Sequence, residues 1–273
     1  MQKELLDQLE TPCVVIDMAK AEENVIRMQA EADAAGCRLR PHIKTHKMPL
    51  FARMQLAHGA AGITCAKVSE AEVMADGGAD DIFIAYPMVG GFRIKRAVAL
   101  ARRLKRLILA VDSMECAVPL NEAAKAAGIT LEVRLEVDTG AKRTGVQRTK
   151  AAELAKEVHQ LSNLNLTGIY TFKSLVYHDK PTEDKVIAGA EEGDMMEAIA
   201  DEIRKAGVPI AEISAGSTLR VWRLQRRERW MRSVRGHIYL RITCFAKRGR
   251  PNRKTLPCGS MPRLSALHAG SMR

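Results

Sequence analysis

The sequence predicts an α/β fold, a (β/α)8 TIM-type barrel, and three observations carry that expectation. Short apolar, β-branched runs alternate with longer helical patterns over residues 1–218, the signature of repeated βα units around a parallel sheet. Seven such runs follow the first helical stretch at roughly even spacing, where a parallel barrel closes with eight. A chain of 273 residues, 47% of them apolar, has the length and the core material for one barrel of this kind.

The elements follow in order. Cys13–Asp17 reads as a strand and about Met18 to Ala35 as a helix. Strands are then expected at Arg38–Ile43, Gly62–Ala66, Ile82–Tyr86, Leu107–Val111, Leu131–Val137, Leu166–Phe172 and Ile210–Ser214. Ser69-Glu70-Ala71-Glu72 has the form of a capping box opening one helix, and Gly128 and Gly207 stand where helices should stop. The eighth strand should lie just beyond residue 218, where the sequence changes character.

That change is clearest in the charges. Residues 1–218 hold 28 Lys+Arg against 31 Asp+Glu, whereas residues 219–273 hold 15 against Glu228 alone. The net charge of +11 therefore belongs to the tail and is no property of the barrel. Six cysteines are scattered without a Cys-x-x-Cys pair, which argues for reduced thiols over a disulfide framework or a structural zinc site. No run approaches the ~20 apolar residues of a membrane helix, and Met1-Gln2-Lys3-Glu4 opens no apolar leader, so a cytoplasmic protein without a membrane partner is expected.

In a barrel of this type catalytic groups sit at the C-terminal strand ends, where this chain offers Lys44, Lys67, Tyr86, Asp112, Asp138 and Ser214. The run Arg40-Pro41-His42-Ile43-Lys44-Thr45-His46-Lys47 stands out among them. A strand-end lysine that is partly desolvated and flanked by cations becomes a nucleophilic amine, suited to condense with an aldehyde such as that of pyridoxal 5'-phosphate. His42 and His46 could move protons beside it. Spacing alone leaves the alternative open, with solvated lysines and histidines that satisfy local backbone groups.

Residues 41–47, Pro-His-Ile-Lys-Thr-His-Lys, resemble the cofactor-lysine motif of fold-type III pyridoxal-phosphate enzymes. The similarity is to the D-threonine aldolase and D-serine dehydratase branch, which has an alanine-racemase-like N-terminal barrel. Thr11–Asp17, Gly62–Ala71, Glu136–Gly140 and Ile213–Thr218 resemble that branch in the same order, so the likeness spans nearly all of residues 1–218. It implies that Lys44 carries the cofactor and acts as a base, with His42 as a second catalytic candidate. It further implies that Gly216, Ser217 and Thr218 cradle the phosphate, a role that suits backbone N–H groups after a strand, and that Arg143 faces the pyridine nitrogen. Tyr170 and Phe172 are ring-packing candidates. The chain departs from the family pattern at Phe172-Lys173-Ser174, where relatives carry Tyr-His-Gly, and His178 is the nearest substitute histidine.

The tail, Leu219–Arg273, has thirteen arginines, Trp222 and Trp230, no aspartate and no long periodicity. A nucleic-acid-binding arm is one reading; a shifted reading frame is the other. Back-translation of Leu219–Arg223, read from the third base of each codon, permits Thr-Gly-Val-Ala, and Trp230–Arg241 permits a run similar to the family's eighth strand in the same frame. The expectation is thus a barrel over 1–218 and a basic, out-of-frame, poorly ordered tail over 219–273, with the eighth strand and the C-terminal β domain missing or corrupted. That domain, by resemblance, completes the active site, supplies a divalent-metal site and joins the homodimer interface, so no metal ligand is assigned here. The resemblance implies a lyase that cleaves a 3-hydroxy-D-amino acid to glycine and an aldehyde, impaired by the loss, with nucleic acid not expected as a partner. D-serine dehydratase or racemase chemistry on the same fold, and a non-catalytic cofactor-binding barrel, are the alternatives.

Overall fold

The computed structural model describes residues 8–10, 13–173, 176–216 and 237–240, with 185–186 and 237–240 described by backbone alone. Helix α1, Met18–Ala34, is opened by Asp17, whose carboxylate accepts from the Lys20 N–H at 3.0 Å and so satisfies one of the amides a helix start leaves bare. Then come β1 (Arg38–Leu39), α2 (Pro49–Ala57), β2 (Ile63–Cys65), α3 (Val68–Asp76), β3 (Asp81–Pro87), α4 (Gly91–Ala101) and β4 (Arg106–Val111). The chain continues through α5 (Met114–Ala127), β5 (Leu131–Asp138), the short β6 (Val146–Gln147), α6 (Ala151–His159) and β7 (Leu164–Tyr170). A small hairpin of β8 (Val176–Tyr177) and β9 (Lys180–Pro181) precedes α7 (Lys185–Lys205), β10 (Glu212–Ala215) and β11 (His237–Leu240).

The large strands pair in parallel in the order β1-β11-β10-β7-β5-β4-β3-β2. The ends of that series meet where Thr64 N–H donates to Pro41 O at 2.7 Å, a parallel bridge between His42 and Thr64. Parallel strands buried on both faces read as continuous apolar runs, which is why seven of them were visible in sequence. The sequence leads to the expectation that the eighth strand is missing or corrupted; in the structure the backbone of His237–Leu240 lies in that position, in register with Glu212–Ala215 on one side and Arg38–Leu39 on the other. His-Ile-Tyr-Leu has strand-compatible residues, and ladder hydrogen bonds are made by the backbone whatever the side chains. The rest of the tail, and with it the reading-frame and C-terminal-domain expectations, lies outside the described residues.

Alternation within each strand separates two cores. Ile82, Ile84, Leu107, Leu109, Val133, Leu135 and Ile213 face the surrounding helices in the main cluster, whereas Phe83, Ala85, Ile108, Ala110 and Tyr170 fill the barrel interior. Tyr170 meets Phe83 edge to face, ring centroids 4.9 Å apart. Beneath them the interior is ionic: Arg40 pairs with Asp81 at 2.7 and 3.1 Å, Arg106 with Glu132 at 2.8 Å and Glu212 at 3.0 Å, and Arg134 with Glu212. Asp81, Arg106 and Glu212 begin their strands, so this network floors the barrel at the end opposite the C-terminal mouth.

Two local expectations are corrected. Cys13–Asp17 forms no strand, and Val14, Val15 and Ile16 are exposed, because no strand among the described residues pairs with them. The helix after Ala66 starts two residues earlier than the capping box implies: Lys67 is its N-cap in place of Ser69, and Glu70 accepts from the Ala66 N–H at 2.9 Å. Gly128, at the left-handed C-cap of α5, and Gly207, just past α7, end their helices as expected. No helix among the described residues is long and apolar enough to cross a membrane.

Candidate active site

The mouth of the barrel is built from the segments that follow β1, β5, β7 and β10. After β1 the chain tightens into a single 3-10 turn, Ile43–Thr45, that sets Lys44 at the rim with its side chain exposed. The turn is capped by His42, whose Nδ1 accepts from the Lys44 N–H at 3.2 Å. His42, the sequence candidate for proton transfer, is 2% exposed. His46 packs edge-on to Phe51, and its Nδ1 accepts from the Met48 N–H at 3.0 Å. Burial lowers its pKa from the ordinary histidine value, and the bond that Nδ1 accepts from Met48 N–H also needs an unprotonated nitrogen, so both favour the neutral ring. The turn is tied sideways by Lys47, at φ 52°, whose ammonium lies 3.2 Å from Glu70, itself bonded to Ala66 beyond β2.

The segment after β5 is shaped by two aspartates. Asp138 Oδ1 accepts from the N–H groups of Gly140 and Lys142 at 2.9 and 3.0 Å, and Asp112 Oδ2 accepts from Gly145 N–H at 3.2 Å. These carboxylates fold the loop that presents Arg143. After β7, Tyr170 turns inward, and its hydroxyl donates to Glu136 at 2.7 Å within the closed interior. Glu136 accepts a second hydrogen bond from Thr144 Oγ1 at 2.9 Å. The ring at the mouth is therefore Phe172, half-buried two residues on.

Phe172 gathers the two cations that the sequence singled out. Lys44 Nζ lies over its ring 5.2 Å from the centroid, and the Arg143 guanidinium carbon lies over the same ring at 5.1 Å. Lys44 and Arg143 are 99 positions apart in sequence and come together only through the barrel. Gly216 ends β10 at φ 98°, a left-handed turn that favours glycine and starts the segment assigned to the phosphate; Ser217 and Thr218 lie outside the described residues.

Sequence reasoning missed Lys173. It is 1% exposed, its Nζ pairs with Glu191, and its N–H donates to Glu192 at 2.9 Å. The only signal was the departure from the family's Tyr-His-Gly, which marks the position without revealing a buried ion pair. His178, the substitute histidine, is exposed; its N–H donates to Glu191 at 3.0 Å and its ring lies 3.2 Å from the same carboxylate. The thiols stand apart from this chemistry: burial pushes Cys37 and Cys116 up to about 11 and raises Cys65 as well, which keeps all three protonated. Among the described residues no three His, Cys, Asp or Glu side chains gather as metal ligands.

Comparison with known proteins agrees with this geometry. The family model for the alanine racemase N-terminal domain matches residues 16–235. A D-threonine aldolase of Arthrobacter sp. is 33% identical over 214 residues, 78% of this chain and 56% of the relative. D-threo-3-hydroxyaspartate dehydratase of Delftia sp. is 36% identical over 222 residues, 80% of this chain and 57% of the relative. The crystal structure of D-threonine aldolase from Filomicrobium marinum superposes with a TM-score of 0.74 at 30% identity, covering 86% of this chain and 62% of that one. The chain thus spans somewhat more than half the length of these relatives. A lysine at the mouth of the first strand, an arginine brought to it across the barrel and a family match over most of the sequence lead to one assignment: the chain belongs to the alanine racemase N-terminal-domain family of fold-type III pyridoxal-phosphate enzymes.

Proposed function

We propose that the chain is the cofactor-binding barrel of a pyridoxal-phosphate-dependent D-amino-acid lyase that cleaves 3-hydroxy-D-amino acids to glycine and an aldehyde. The observation that carries this reading is the convergence of Lys44 and Arg143 on one ring at the C-terminal mouth. The donor set fits the cofactor: an exposed primary amine for its aldehyde, a guanidinium over the same phenyl ring for its pyridine nitrogen, and a left-handed glycine at the end of β10 for its phosphate. When bound, pyridoxal phosphate supplies an electron sink for the negative charge left on the substrate Cα as the Cα–Cβ bond breaks.

The chain's own residues do the rest. Lys44 would hold the cofactor through its amine, and the same Nζ would be the group that holds or moves a proton. His42 keeps the Lys44 backbone in its turn. Arg143 would keep the pyridine nitrogen unprotonated, because a guanidinium donates hydrogen bonds and accepts none. Thr171, fully buried with its Oγ1 donating to Val137 O at 2.7 Å, and the buried Lys173 flank Phe172 on either side. In this reading residues 1–218 are the catalytic barrel and the groups that take the β-hydroxyl proton lie outside it. Dehydration is the second reading, favoured by the 36% identity to the Delftia dehydratase.

Purified full chain incubated with pyridoxal phosphate, reduced with borohydride and digested should carry a pyridoxyl group on the Lys44 peptide, absent in Lys44→Ala. A folded sample without that adduct overturns the assignment. With D-threonine and D-threo-3-hydroxyaspartate plus a divalent metal, aldehyde release supports the lyase, whereas ammonia and an oxo acid favour dehydration.

A further inference from the structure

We propose that Phe172 is a positioning residue, whose ring holds the Lys44 ammonium and the Arg143 guanidinium at a fixed spacing so that both are aligned before a cofactor arrives. The inference rests on the reading of Lys44 and Arg143 as cofactor-binding groups and explains how two exposed, flexible cations are ordered.

The backbones that carry them are pinned. His42 and Lys47 fix the turn around Lys44, and the Asp138 carboxylate fixes the N–H groups of Gly140 and Lys142 just before Arg143. Their side chains are a separate matter. Both are long, both are exposed, and like charge drives them apart. One aromatic ring within 5.2 Å of each offsets that repulsion, because the negative π-face of a ring attracts a cation.

The ring can serve as a reference point because the residues on either side of it are buried and bonded. On one side Thr171 is fully buried, donates through Oγ1 to Val137 O, lies 2.8 Å from Thr139 Oγ1 and donates its N–H to Ser214 O at 3.0 Å. On the other, Lys173 is held by Glu191 through its side chain and by Glu192 through its N–H. Phe172 is therefore the half-buried residue between two buried anchors. Phenylalanine lacks the hydroxyl that a tyrosine would bring, so this position orders charge without exchanging protons.

The test uses the full chain with lysines reductively dimethylated with 13C-formaldehyde, which preserves their charge. The Lys44 methyl resonance, identified by its loss in Lys44→Arg, should be shifted upfield by the Phe172 ring current. That shift should vanish in Phe172→Leu and persist in Phe172→Trp. In unmethylated protein, pyridoxal-phosphate affinity should fall about tenfold in Phe172→Leu, the factor expected when two cation–π contacts are lost, and recover in Phe172→Trp. A Lys44 resonance indifferent to Phe172→Leu, or an unchanged affinity in that variant with its circular dichroism intact, overturns the proposal. If the wild-type chain forms no Lys44 adduct, the functional assignment fails on its own, and the methyl resonance alone decides the role of Phe172.

Discussion

Two lysines at the same rim illustrate how environment divides labour between identical side chains. Lys44 is exposed over an aromatic face, where an amine stays accessible; Lys173 is 1% exposed and committed to Glu191. For Glu191, burial raises the carboxyl pKa, but the hydrogen bonds from Lys173 and from the His178 N–H outweigh it, and the net shift is downward from the ordinary value of 4.5. A carboxyl whose folded pKa is depressed stabilises the fold above its unfolded pKa and loses that contribution as pH falls through the folded one. Wild type should therefore exceed Glu191→Gln in urea midpoint at pH 7, with the gap closing below pH 4.5. A gap constant from pH 7 to pH 3 would mean that Glu191 acts through shape and not charge. Lys44, Arg143 and Gly216 were legible because they sit in local motifs. Lys173–Glu191 was not, since a buried ion pair depends on what another helix brings across the rim.

At the scale of elements, seven strands were readable because each is an apolar run bounded by helices, and their observed limits differ from expectation by a few residues. The same signal misled at Cys13–Asp17, whose apolar residues would suit a strand but find no partner edge among the described residues. Strand existence is a statement about neighbours, which a local pattern does not contain. Neighbour distance also explains why Gly168 lies between β5 and β10. A Cβ there would stand 2.2 Å from Glu212 O and 3.0 Å from Glu212 C, both rigid backbone atoms of the paired strand. Gly168→Ala must push β7 and β10 apart, a cost at or above the upper end of the ~1–3 kcal/mol typical of overpacking. Urea denaturation reads this directly: a midpoint equal to wild type would show that the two strands do not approach so closely.

The whole molecule sets its chemistry on an ionic floor, and the floor is the feature least visible in sequence because its members are up to 172 positions apart. Arg40, Arg106 and Arg134 alternate with Asp81, Glu132 and Glu212, and Thr167 Oγ1 donates to Glu132 at 2.7 Å. Such a layer contributes little net stability compared with an apolar one, because desolvating each ion offsets most of the attraction between them. Removing one partner is different. Arg134 is fully buried beneath Phe83, with its guanidinium carbon 5.2 Å from that ring, and it faces Glu212. Arg134→Met would take one of the two arginines from Glu212 and should cost about 3–5 kcal/mol, the range for breaking a buried pair. Pairing it with Glu212→Leu removes the carboxylate that has lost a partner, but it also takes a partner from Arg106, which keeps Glu132. The double variant should therefore regain part of the loss without reaching wild type. A double-mutant cycle from chemical denaturation measures both values, and additivity of the two single changes would show that the floor is six independent ions and not one network.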